Sequence, residues 1–153
     1  MILSQTTKID APAERVFSFF DHMEKNYLHW HPDHLSFRWL QDGRLAVGNR
    51  FYFEERINGE LMRRTMRYTK IEPGRRIEFV PDNLLIRLFF KRVSFLIEPM
   101  GGQCRFTQEV QVLIGPIGKW LNQAGFAAVD KHMHEEGENL KAIMEADETP
   151  SLA

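Results

Sequence analysis

IGKWLNQAGFAAVDKHMHEEGENLKAIME, residues 117–145, contains no proline and places its apolar residues at helical rather than alternating intervals. It reads as one long helix. Leu121, Gly125, Val129, Leu140 and Ile143 fall on one face, and carrying that face through its gap lands on His132 and Glu136. These two are four residues apart and share a side of the helix. The face that should meet a core therefore carries an imidazole and a carboxylate. His134 and Glu138 lie two residues further round, near Asp130, Lys131, Lys141 and Glu145, and should face water.

Upstream of Gly115-Pro116 the period is two. Segments 85–99 and 103–114 read as long strands joined at Met100-Gly101-Gly102, and Arg76 to Val80 as a further strand between two proline turns. Segments 49–57 and 60–72 flank Asn58-Gly59, the strongest short hairpin signal. Segment 35–40 alternates Leu35, Phe37 and Trp39 against Ser36 and Arg38, and Asp42-Gly43 ends it with a turn. The chain opens with a strand over 2–9. A short helix follows over 13–20, with Asp10 as N-cap, Pro12 in the first turn and Val16, Phe17 and Phe20 on one face. A second helical piece, 21–30, stops at Pro32. The class is α+β: about seven antiparallel strands, two short helices after the first, and one long C-terminal helix. Only that last helix is long enough to cover the concave face of a curved sheet, which leaves a cavity between them.

The 153 residues suit a single domain, expected over 1–146 with a frayed tail at 147–153. A net charge of -1 speaks against a nucleic-acid binder. No run of about 18 apolar residues exists, so no stable membrane insertion is expected; the most apolar stretch, 84–97, is broken by Arg87, Lys91 and Arg92. The opening MILSQTTKIDAPAERVF lacks the plan of a signal peptide, and one cysteine, Cys104, points to a reducing, cytoplasmic setting. Twelve phenylalanines and three tryptophans suit an apolar cavity as well as an aromatic core. The arginine groups at 63–67, 75–76 and 87–92 read as the outer face of the sheet. Nothing in the sequence sets an oligomeric state.

Polar residues on inward faces carry the functional reading. In FYFEERI, residues 51–57, Phe51, Phe53, Glu55 and Ile57 share one side, and Tyr52, Glu54 and Arg56 the other. Glu55 therefore joins Phe51, Phe53 and Val129 around the cavity. Inward carboxylates need a positive partner. YLHWHPDHLSF, residues 27–37, holds three of the six histidines at a position bordering the cavity. Histidine and carboxylate ligands suit zinc, and would also accept manganese, iron or nickel. The metal set would be His34, Glu55, His132 and Glu136. The competing structural reading is a buried His–Glu hydrogen bond, surface loop histidines, and Glu54-Glu55 in a charge ladder with Arg63, Arg64 and Arg67.

The element order, the opening IDAPAERVFSFF at 9–20 and the terminal helix resemble the START-like (SRPBCC, helix-grip) superfamily, which includes lipid carriers, polyketide cyclases and hormone receptors. That resemblance covers nearly the whole chain and implies a cavity for a hydrophobic or aromatic small molecule. The polar segments are similar to those of the 2,4-diacetylphloroglucinol hydrolase family, zinc enzymes that cleave an acyl group from a phenolic ring. WHPDH at 30–34 suggests His34, with His31 as fallback; EERING at 54–59 suggests Glu55, with Glu54 as fallback; HMHEEGENL at 132–140 suggests His132 and Glu136. That family carries an extra N-terminal part, so its substrate is not carried over. The resemblance implies a metal-dependent hydrolase of a small aromatic or polyketide-like acyl compound, with Glu136 or Glu55 as general base if not metal-bound. A non-catalytic carrier or sensor of a hydrophobic molecule, or a metal-free polyketide cyclase, are the alternatives.

Overall fold

The seven strands β1 (Ile2–Ile9), β2 (His34–Trp39), β3 (Arg50–Ile57), β4 (Glu60–Glu72), β5 (Arg76–Pro81), β6 (Phe90–Met100) and β7 (Gln103–Val112) form one antiparallel sheet. The structure is a computed structural model that describes residues 1–41, 43–113, 118 and 123–147. Strand order is β1-β7-β6-β5-β4-β3-β2. Consecutive strands from β2 to β7 are therefore neighbours, and β1 closes the far edge. Helices α1 (Ala13–Asp21) and α2 (Met23–Trp30) carry the chain from one edge to the other. A short α3 (Leu84–Arg87) precedes β6, and α4 (Gln123–Asp147) lies against β1, β3, β7 and α2. This is the helix-grip architecture.

The buried face of α4 is His132, Met133, Glu136, Gly137, Leu140 and Met144, while His134 and Glu138 are exposed. Gly137 permits the close approach to β1, since a Cβ there would stand 2.3 Å from Thr7 Oγ1. Gly125, expected on the inner face, is exposed instead; it borders an opening also lined by Phe126 and Val129. Phe20 and Trp30 reach from the short helices into the sheet, with Phe20 stacked 5.7 Å from Phe106 and Trp30 edge-on to Phe95.

Local chemistry explains the other departures from the sequence reading. Pro12, not Asp10, is the N-cap of α1; the Asp10 carboxylate accepts from the Gln103 side chain, and its N–H donates to Glu145. The expected strand over 85–99 begins only at Phe90, because the Asn83 side chain accepts from the Leu85 and Ile86 N–H groups and starts a helical turn. Asn58 and Gly59 both take positive φ, 55° and 77°, as a tight hairpin turn requires. Leu35 is the extra residue of a bulge: His34 pairs with Glu55 and Ser36 with Glu54. Leu35 is thereby put on the surface, and His34 joins the inner face that Phe37 occupies. The readings placed on Asp42, on 114–117 and 119–122 (the strand end, the Gly115-Pro116 break and the start of the long helix, with Leu121), and on the tail beyond Asp147 lie outside the described residues.

Candidate metal centre

The β2 bulge, β3 and α4 bring one donor atom from each of His34, Glu55, His132 and Glu136 together, all within 4.8 Å of one another. His34 Nε2 lies 2.9 Å from Glu136 Oε2, 3.3 Å from His132 Nε2 and 3.6 Å from Glu55 Oε2. His132 Nε2 lies 3.4 Å from Glu55 Oε2 and 3.6 Å from Glu136 Oε2. A tetrahedron with zinc-to-ligand bonds of 2.0–2.1 Å has edges of about 3.3–3.4 Å. The five separations lie within about 0.5 Å of that edge, so the set suits such an ion.

Their supports have the character of a ligand shell. His34 Nδ1–H donates to the Tyr27 carbonyl at 2.8 Å, which in the neutral ring leaves the Nε2 lone pair aimed at the centre. The Tyr27 ring stacks on His34 at 3.9 Å, and its hydroxyl donates to Glu55 Oε2 at 3.1 Å. Burial, then the charges of Glu55 and Glu136, push the Tyr27 phenol far above its ordinary range and keep it a donor. Trp30 Nε1–H donates to the Glu136 carbonyl and fixes that turn of α4. Without a metal, burial would lower the His132 pKa, but hydrogen bonds to Glu136 and Glu55 outweigh it and push it up to about 10. Burial opposes ionisation of Glu136, and the two histidines overcome it to hold that carboxyl well below its usual range.

Neither fallback residue belongs to the four-donor grouping, although the His31 ring lies 4.2 Å from that of His132. Glu54 faces the other side of β3, where it accepts from Tyr52 at 2.7 Å. His31 is buried, but its Nε2 faces Glu135 at 3.3 Å, and it belongs to a separate grouping with Asp33 and His132. Glu55, His132 and Glu136 line a largely apolar cavity, and Phe51, Phe53 and Val129 line it too. Sequence reasoning does not single out Tyr27 or Arg64. Arg64 lines the cavity rather than the outer face of the sheet, as its parity with Met62 and Met66 allows. Nothing in the spacing around Tyr27 marks its role.

A family model described as polyketide cyclase/dehydrase and lipid transport matches residues 2–145. The chain belongs to that family. No curated protein matches this family member's sequence. Among solved structures it is similar to TTHA0849 from Thermus thermophilus, with 16% identity and TM-score 0.76 over 97% of this chain and 100% of that one. It is also similar to the Zhui aromatase/cyclase from Streptomyces sp. R1128, with 13% identity and TM-score 0.75 over 100% and 98% of the two chains. A third is norcoclaurine synthase from Thalictrum flavum in complex with dopamine and hydroxybenzaldehyde, at 9% identity and TM-score 0.73 over 97% and 88%. At these identities the likeness is one of fold. No described helix is long and apolar enough to cross a membrane.

Proposed function

We propose that the chain is a zinc-dependent hydrolase that releases an acyl group from a small aromatic or polyketide-like compound by cleaving a C–C or ester bond. The observation that carries this reading is the convergence of four donor atoms within 4.8 Å of one another, with Glu55, His132 and Glu136 on the wall of a largely apolar cavity. His34, His132 and Glu136 would hold the ion. Glu55, which comes no nearer than 3.4 Å to either imidazole while Glu136 reaches 2.9 Å from His34, would be its weakest ligand or stand free beside it. When bound, zinc supplies Lewis acidity toward a carbonyl and toward water. Glu55 would take the proton of the attacking water and return it to the departing ring carbon or oxygen, and the acyl group would leave as a carboxylate. Tyr27 holds Glu55 in place throughout. The aromatic walls orient a planar substrate and limit access of bulk water.

Elemental mass spectrometry of tag-free protein tests the reading. About one equivalent of zinc is expected, lost in His132→Ala together with turnover of acylphenols. No metal after reconstitution, or full activity in a metal-free variant, would overturn it.

A metal-free cyclase is the second reading. It is favoured by the self-sufficient pairing of the cluster, in which an imidazolium at His132 sits between two carboxylates, and by the aromatase/cyclase among the fold neighbours. Such an enzyme, like a carrier, would be indifferent to chelators.

A further inference from the structure

Arg64 is a cation on the wall of an apolar cavity. It stands opposite Phe53 in the β3–β4 ladder, on the face shared with Met62 and Met66, and it is half-buried. Several other arginines of the sheet, though not Arg38, Arg56 or Arg63 among the described residues, have carboxylate partners: Arg50 and Arg67 hold Asp82, Arg76 holds Glu78, and Arg105 holds Glu98. Among the described residues no carboxylate comes within 4.0 Å of the Arg64 guanidinium, whose hydrogen bond goes to the Arg63 carbonyl at 2.8 Å. The carboxylate placed to reach it is that of Glu55, since Glu55 pairs with Met62 and so sits on the diagonal of the ladder from Arg64. Diagonal neighbours are about 7–8 Å apart, within range of long side chains. Glu55 turns away instead, to Tyr27, His34 and His132. A guanidinium has five N–H donors in a planar fork suited to carboxylate-like oxygens. Facing an apolar space, it gains most when a ligand brings the anion.

We propose that Arg64 is the anchor for an anionic group, a carboxylate, sulfonate or phenolate, on the aromatic ligand of this cavity. With the anion held at Arg64, the ligand's other end is left to the four-donor cluster, and this fixes the ligand's direction. Its anionic end lies at Arg64, and its neutral carbonyl end lies at Glu55 and His132 across the same cavity. The direction rests on the hydrolase reading; the anion subsite does not.

The test uses a matched pair of fluorescent probes: 1-anilinonaphthalene-8-sulfonate, and its neutral parent N-phenyl-1-naphthylamine. Both are titrated against wild type, Arg64→Gln and Arg64→Lys, with and without a chelator, after circular dichroism shows that each variant is folded. Arg64→Gln is expected to weaken the sulfonate at least tenfold and to leave the neutral probe within twofold. Arg64→Lys should restore part of the loss, and the wild-type preference for the sulfonate should shrink as salt is raised. Equal losses for both probes would make Arg64 a packing residue and overturn the proposal, as would no change for either or no binding of either. If wild type holds no zinc and the probe difference persists, the hydrolase reading falls and the anion subsite stands. Zinc present without a probe difference is the converse.

Discussion

Gly137→Ala tests whether the seating of α4 on β1 sets the geometry of the cluster. The new methyl group would meet Thr7 Oγ1 at 2.3 Å, so the helix or the strand must retreat by about 1 Å to reach ordinary contact. Thr7 is 6% exposed, and its branched side chain is stiff, so it has little room to rotate away. Alanine gains about 1 kcal/mol in helix propensity over glycine, and overpacking a core costs about 1–3 kcal/mol. The variant should therefore be destabilised by up to about 2 kcal/mol. Thr7→Ala removes the obstructing oxygen, so the double variant should recover the propensity gain, with a coupling energy of about 1–3 kcal/mol in the cycle. Glu136 directly precedes Gly137, and the same shift would stretch the 3.4 Å separation of His132 from Glu55. Zinc affinity of the single variant should fall about tenfold or more. Urea unfolding and competitive zinc titration measure both effects. A single variant more stable than wild type, with unchanged zinc affinity and additive behaviour with Thr7→Ala, would refute the reasoning.

Zinc affinity should also rise with pH. Burial works against a charged His132, yet Glu136 and Glu55 hold its pKa up to about 10, so near neutrality the ion must displace a proton. About a tenfold gain per pH unit is expected between pH 6 and 8, read as proton release by calorimetry in two buffers; a flat profile would contradict it. Tyr27→Phe keeps the stack on His34 but removes the donor to Glu55, and should lower zinc affinity about 10–100-fold with little change in urea midpoint. An unchanged affinity would show that Glu55 needs no such support. Leu140, fully buried on the inner face of α4, should cost about 2–5 kcal/mol on truncation to alanine, and a loss below 1 kcal/mol would mean that the helix repacks freely.

The fold is legible in the sequence because its main signals are periodic. The change from period two to helical period after Gly115-Pro116, and the Asn58-Gly59 hairpin, place most elements from residue spacing alone. The inward turn of His132, Glu136 and Glu55 follows from the same counting. His34 does not: simple alternation puts it opposite Phe37, and only the bulge at Leu35 reverses that. The motif resemblance nominates His34 where parity argues against it. The α3 turn escapes a periodic reading because Leu84 to Phe89 is apolar enough to pass for strand, and the Asn83 cap that decides it also fits a simple turn. Charge alone puts Arg64 on the outer face, although its parity with Met62 and Met66 speaks for the inner one.

The edge position of β1 has a consequence for how the chain comes together. Each junction from β2 to β7 is local and can zip as a meander. The first strand instead waits for the last: Ile2 sits opposite Gln111, and the Met1 amino group reaches the Val112 carbonyl across 111 positions of sequence. Phe20 likewise packs on Phe95 and Phe106, which are made much later. During synthesis, then, the short helices can dock on β2 and β6 as these form, but β1 has no sheet edge to join until β7 has left the ribosome, and its pairing is a late event.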